Sequence, residues 1–85
     1  MKLLTIIIPA YNETRTISKL LTKIFNLNIK KQVIVIDDNS SDDTKNKILK
    51  FKKKIDKIIY HKKNLGKGAA IKSAQKFIKG KYVII

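Results

Sequence analysis

Apolar positions along the chain follow two rhythms in turn. Residues 3–8, Leu-Leu-Thr-Ile-Ile-Ile, form a short run rich in isoleucine, as in a buried strand. Pro9 is expected to end it, because proline cannot donate to a ladder. Ile17, Leu20, Leu21, Ile24 and Phe25 then recur at helical spacing, one apolar stripe with Lys19 and Lys23 opposite. Asn12 or Thr14 is the expected cap of that helix. Residues 33–36 form a second, β-branched run, in a strand expected over residues 32–36, that stops at Asp37 and Asp38. A run apolar on both faces marks a central strand of a parallel sheet, so the acidic pair is expected just past its carboxyl end. Ile48, Phe51 and Ile55 mark the buried side of a second helix over residues 44–54, capped by Ser41 or Asp42. Lys52, Lys53 and Lys54 are its solvated end. Residues 58–60 read as a brief third strand and residues 61–68 as a polar loop. Ala70, Ile71, Ala74, Phe77 and Ile78 return to helical spacing, with Gly80 placed as a C-terminal cap. Residues 82–85 begin a fourth strand.

The resulting order, β-α-β-α-β-α-β, predicts an α/β fold: three α-β-α layers around a mostly parallel, Rossmann-like sheet with right-handed crossovers. Three strand ends then gather on one rim, residues 9–13, 37–38 and 61–68. Ligands of open α/β sheets bind at such a rim. Two adjacent carboxylates repel each other, so stability alone is a poor reason to place them there. The 85 residues make one domain, with no repeat, linker or low-complexity tail.

Composition removes several chemistries. With no cysteine there is neither a disulfide framework nor a thiolate metal site. His61 is the single histidine, which excludes Ser-His and Cys-His catalysis and most zinc sites. It is expected to be a loop residue rather than a ligand. The formal charge of +14, from 20 basic and 6 acidic residues, suits anionic partners. Every basic residue except Arg15 is lysine, however, and isoleucine and asparagine are also abundant, a bias that fits an AT-rich genome. Nucleic-acid readers favour arginine forks with interleaved aromatics, and nucleic acid is not an expected partner. No stretch approaches the roughly 18 apolar residues of a membrane span. The first apolar run is too short for a signal peptide and meets Pro9 and Glu13, which predicts a cytoplasmic protein.

The rim residues suggest a ligand. An ionised carboxylate only accepts hydrogen bonds, so Asp38 or Asp37 suits a base with an imide N–H: uracil, thymine or guanine, with adenine a poorer fit. Tyr11 offers a flat amphipathic face. The Gly66-Lys67-Gly68 turn lets backbone approach a ligand, and Lys67 supplies a charge suited to a diphosphate. The following helix N-terminus adds attraction for an anion. Each piece also has a plainer reading. The Asp pair can serve a turn, Tyr11 can pack, Lys67 is one lysine among many, and Glu13 can favour the first turn of its helix. Asp42 and Asp43 are expected to cap a helix rather than bind metal.

Three motifs in order carry a resemblance. Ile-Ile-Ile-Pro-Ala-Tyr-Asn-Glu occupies residues 6–13, Val-Ile-Val-Ile-Asp-Asp-Asn-Ser-Ser-Asp-Asp-Thr residues 33–44, and Asn-Leu-Gly-Lys-Gly-Ala-Ala residues 64–70. From residue 5 to 85 the chain resembles the N-terminal, nucleotide-binding part of the inverting glycosyltransferases of family 2, with the GT-A fold. It looks closest to the branch that moves mannose or glucose onto polyprenyl phosphates. The resemblance implies that Pro9, Ala10, Tyr11 and Glu13 line the nucleotide pocket. It implies that Asp38, with Asp37 beside it, contacts the base, and that Lys67 lies near the phosphates. It further implies a UDP- or GDP-sugar as donor, a lipid-phosphate or glycan acceptor, and work at the inner face of a membrane in cell-envelope glycan synthesis. In the family an acceptor attacks the anomeric carbon while a divalent metal, Mg or Mn, neutralises the leaving diphosphate.

The family's metal-binding Asp-X-Asp follows the fourth strand, within which this chain stops. By the resemblance, residues 1–85 therefore hold the nucleotide but neither the metal nor the acceptor-activating carboxylate. They have no catalytic residue of their own, are not expected to be active alone, and are expected to need a further C-terminal half or a partner chain. Apolar edges are expected where that remainder packs. Three rivals stay open. A phosphorelay receiver fits residues 33–39, but it would start with that strand and needs a later phosphoacceptor Asp. A dinucleotide-binding Rossmann domain needs Gly-x-Gly-x-x-Gly after the first strand, where there is no glycine. A basic nucleic-acid-binding module predicts salt-dependent affinity that ignores Asp38.

Overall fold

The computed structural model describes residues 4–85. In order they form β1 (Leu4–Ala10), α1 (Ile17–Phe25), β2 (Lys31–Asp37), α2 (Thr44–Leu49), β3 (Lys57–Tyr60), α3 (Lys67–Ala74), a 3-10 turn (Gln75–Phe77) and β4 (Tyr82–Ile84). All strand pairings are parallel, in the order β3-β2-β1-β4. The chain steps outward from β1 to β3, then crosses back over β1 to lay down β4. Its direction therefore reverses at β1, and the carboxyl end of the sheet opens into a crevice between β1 and β4.

Strand alternation builds two cores. Ile6, Ile8 and Ala10 of β1 and Val33 and Val35 of β2 face α1 and α2, against Ile17, Leu21, Ile24 and Ile48. The alternate residues Ile7, Ile34 and Ile36 meet Ala70 and Ala74 of α3 on the other face. The three layers predicted from the element order are thus present. Small alanines let α3 lie close to the sheet.

Several boundaries differ from expectation. Pro9 does not end β1 but sits within it, opposite Ile36. The carbonyl of Ala10 accepts from the Asp38 amide on the β2 side. The nitrogen of Pro9 therefore faces the β4 side, where pairing stops at Ile6 with Ile84, so no ladder bond is lost. The predicted start of this strand at residue 3 lies outside the described residues. Asp37 is the last residue of β2 rather than the first beyond it. Leu20, placed in the apolar stripe of α1, is 44% exposed. It falls to one side of Ile17, whereas Leu21 falls on the side where Phe25 stacks on Phe51 at 6.0 Å between ring centroids. Neither Asn12 nor Thr14 caps α1; Thr16 holds that position and makes no side-chain capping bond.

The second helix ends early, at Leu49. Tight turns follow, with Phe51 N–H on the Ile48 carbonyl (2.9 Å) and Lys52 N–H on that of Leu49 (3.1 Å). Lys50, Lys53 and Lys54 lie three and four apart there, where like charges oppose another helical turn. Ile55 still reaches the core, and Phe51 packs on its border. The third helix likewise yields to the 3-10 turn before Ile78.

Gly80 is not a helix cap. Its amide donates to Thr5 Oγ1 at 2.8 Å, and a Cβ at this position would fall 2.5 Å from that oxygen and 2.6 Å from the Thr5 nitrogen. Thr5 in turn donates to Gln32 Oε1 (2.8 Å), which also accepts from the Lys79 amide (2.8 Å), while Gln32 Nε2 donates to the Phe77 carbonyl (2.6 Å). This buried polar staple fixes the link between α3 and β4 at the amino end of the sheet. The loops at the opposite end are left to form a site.

Candidate functional site

The carboxyl ends of β1 and β2 and the start of α3 surround a cavity of about 290 Å3. Pro9, Ala10, Tyr11 and Glu13 line it from β1 and its loop, Asp38 from the end of β2, and Lys67 and Ala70 from α3; Ile85 closes the β4 side. Six of the seven residues singled out in the sequence therefore meet around one cavity. A larger hollow, about 550 Å3, lies between β3 and α3. Its wall is lysines, apolar side chains, Ser73 and Gln75, with no carboxylate and none of the three motif loops. The smaller cavity is the one that gathers the carboxylates of Glu13 and Asp38 and the Lys67 ammonium.

Asp37 is the seventh residue, and it departs from the expectation that it stands beside Asp38 at the ligand. Successive side chains of a strand point to opposite faces. Asp37 turns toward the α1–α2 side, where it is fully buried and does not line the cavity. Its Oδ2 accepts from the Ser40 amide at 3.1 Å and lies 3.9 Å from Lys45 Nζ. Among the described residues Oδ1 has no hydrogen-bond partner.

Asp38, on the other face, is held from three directions. Oδ1 accepts from His61 Nδ1 at 2.8 Å and from the Leu65 amide at 2.9 Å, and Oδ2 from the Gly66 amide at 2.8 Å. Burial pushes its carboxyl upward, but the bonds from His61, Leu65 and Gly66 outweigh this and hold it below the usual carboxylate range. Gly66 makes the turn possible with φ +93° and ψ 166°, a region open essentially to glycine alone. The charged acceptor, the turn and the start of α3 are thereby one unit.

His61 corrects the expectation of a plain loop residue. It is buried, and its Nε2 lies 2.8 Å from Ser73 Oγ on α3. Its amide donates to the Asp37 carbonyl at 2.9 Å, which continues the β2–β3 ladder by one residue. The available signal was position: the residue right after a strand that neighbours β2 is carried to the carboxyl end of β2.

The loop after β1 is set by the loop after β2. The Asn12 amide donates to Ser40 Oγ (3.0 Å), the Ser41 amide to Asn12 Oδ1 (2.9 Å) and the Glu13 amide to Thr44 Oγ1 (2.8 Å). Asn12 and Asn39 both adopt positive φ, 50° and 63°, which asparagine tolerates. These bonds engage the Asn12 side chain, and the Thr14 hydroxyl lies 3.4 Å from Thr44 Oγ1, so both side chains serve the contact between loops rather than a helix cap. Tyr11 remains 47% exposed at the mouth of the cavity, and Glu13 Oε2 accepts from Thr16 Oγ1 at 3.0 Å.

Asp42 and Asp43 serve the start of α2. Asp42 Oδ1 accepts from the Thr44 amide at 2.9 Å, and Asp43, which occupies the N-cap position, accepts from Asn46 Nδ2 at 2.8 Å. The Thr14 and Thr44 hydroxyls hold the Asp42 carboxyl down at about 2. Among the described residues no group of three His, Asp or Glu side chains comes together to hold a metal ion. The residues present do not fit the divalent metal that the family resemblance implies. No helix among them is long and apolar enough to cross a membrane.

Comparisons with known proteins give the family and the fold. The sequence pattern of "Glycosyl transferase family 2" matches residues 5–85. A dolichyl-phosphate beta-glucosyltransferase of Saccharomyces cerevisiae is 33% identical, over 93% of this chain and 27% of its own length. The crystal structure of S. aureus TarS 1–349 in complex with UDP-GlcNAc superposes with a TM-score of 0.88 at 28% identity, over 99% of this chain and 25% of that one. The mannosyltransferase PcManGT of Pyrobaculum calidifontis, in complex with GDP-Man and Mn2+, gives 0.87 at 26% identity, over 96% and 26%. The chain spans about a quarter of the length of each of these proteins.

Proposed function

The chain belongs to glycosyl transferase family 2, and on that premise we propose that it is the nucleotide-sugar-binding part of a GT-A glycosyltransferase domain. It holds a UDP- or GDP-sugar for transfer of the glycosyl group to an acceptor. One observation carries this reading: three loops from separate strands converge on a single cavity and bring Tyr11, Asp38 and Lys67 to it. Tyr11 covers the base, Asp38 accepts its imide N–H, and the diphosphate runs toward Lys67 and the N-terminus of α3. Pro9, Ala10 and Glu13 complete the wall.

The transfer itself forms a bond from an acceptor oxygen to the anomeric carbon and breaks the bond to the diphosphate. A hydroxyl acceptor passes its proton to a base, whereas an ionised phosphate acceptor has none to give up. We assign these residues to binding and orienting the donor. The metal of the full-length family finds no ligand set among the described residues. A polyprenyl phosphate is the proposed acceptor, a reading supported by the name of the yeast relative, and the inner face of a membrane is the proposed place of work.

Isothermal titration of the purified chain with UDP and GDP tests the binding role. At least one nucleotide binds, and Asp38→Ala weakens it about tenfold or more, the effect of losing a hydrogen bond to a charged acceptor. Binding that ignores Asp38→Ala, or that appears only with DNA and fades with salt, contradicts the reading and favours the basic-module rival.

A further inference from the structure

Asp38 reaches the cavity with most of its acceptor capacity filled. An ionised carboxylate offers about four lone-pair positions. Oδ1 takes two donors, His61 Nδ1 and the Leu65 amide, and Oδ2 takes one, the Gly66 amide. One position remains, on Oδ2. The three donors cannot easily turn away. Two are backbone amides of a turn fixed by the positive φ of Gly66. The third belongs to a buried ring anchored at its far nitrogen by Ser73 on α3. With a carboxylate as its partner, Nδ1 carries the proton, and in the neutral ring Nε2 accepts from the Ser73 hydroxyl.

We infer that His61 and the 65–66 turn make Asp38 a single-acceptor reader, which selects a nucleoside diphosphate with a pyrimidine imide base, uracil or thymine, over one with guanine. This rests on the reading that the cavity holds a nucleotide. Guanine presents its N1–H and its amino group side by side, and a carboxylate receives both only by using both oxygens. Oδ1 has no position left for the second donor, which would stay unpaired at the cavity wall, a costly outcome. A pyrimidine imide presents one N–H between two carbonyls and asks for one acceptor. Adenine and cytosine present no ring N–H at that edge. His61 is a positioning residue here: it does not touch the nucleotide but sets how many donors Asp38 can take.

Titrations of the purified chain with UDP, dTDP, GDP and N3-methyl-UDP decide this. The expected result is that UDP or dTDP binds at least about tenfold more tightly than GDP, with the same loss on N3-methylation. The ratio of UDP to dTDP then distinguishes the two pyrimidines. In His61→Ala, Oδ1 regains a lone pair, and the preference over GDP narrows several-fold. A general loss of structure would weaken all ligands alike and leave that ratio unmoved. GDP binding as tightly as UDP and dTDP overturns the inference while leaving the nucleotide site intact. A folded His61→Ala protein with unchanged preference overturns the part given to His61. Failure of all four nucleotides to bind overturns the site itself, and this inference with it.

Discussion

Asp38 and Asp42 are both carboxylates that the fold keeps ionised, for different reasons. Asp38 is buried, and its hydrogen bonds win over desolvation; Asp42 is exposed and held by the Thr14 and Thr44 hydroxyls. Both have folded values below the ordinary 3.8. The folded state therefore binds fewer protons than the unfolded chain in that range. Their stabilisation is complete above 3.8 and is lost as pH falls through the folded values, which for Asp42 means toward about 2. Urea midpoints measured from neutral pH downward should hold steady to about pH 4 and then fall. Nucleotide affinity should fall in the same acid range, because a protonated Asp38 gives up acceptor capacity. Asp37 was legible as a carboxylate at the rim but not in its direction. Only the strand's exact end, one residue later than expected, shows that it points away from the cavity. His61 was the converse case, since a lone histidine beside lysines carries no sign of burial in the sequence.

Among the elements, strands were more legible than helix ends. Each strand core is a continuous β-branched or aromatic run, and both faces of β1 and β2 find apolar partners, so burial and sequence agree. Helix ends are set by tertiary contacts that no local pattern records. Gly80 looked like a cap but is required by the approach of the chain to Thr5. Thr14 looked like a cap, yet its carbonyl accepts from Lys47 Nζ at 2.7 Å as part of the contact between loops. The stripe of α1 provides a contrast within one helix. Leu21 is fully buried and Leu20 is 44% exposed, so Leu21→Ala should cost about 2–5 kcal/mol and Leu20→Ala well under 1 kcal/mol in urea unfolding. The turn before α3 provides another. A Cβ at Gly66 would meet nothing within 4 Å, so Gly66→Ala costs conformational strain alone, about 1–3 kcal/mol. A loss of stability no larger than that of an ordinary surface substitution would show that the positive φ is not needed.

For the whole molecule, the sheet order turns separate motifs into one site. The alternation of elements predicted a parallel sheet, and the return of the chain across β1 opens the crevice that the three loops line. The charge of +14 is spread over lysine-rich surfaces and adds little to this geometry. The edge strand β4 leaves Tyr82 59% and Ile84 54% exposed, in keeping with the apolar edge expected from the sequence. The staple at Thr5, Gln32 and Gly80 lies at the far end of the sheet and provides an internal control for ligand mapping. The most direct test is therefore an amide chemical-shift titration of the chain with UDP and GDP. At least one nucleotide is expected to shift residues 10–13, Asp38 and residues 65–70, while Gln32 and residues 77–80 stay still. Shifts confined to exposed lysines, or no shift at Tyr11 and Asp38 with either nucleotide, would contradict the proposed site.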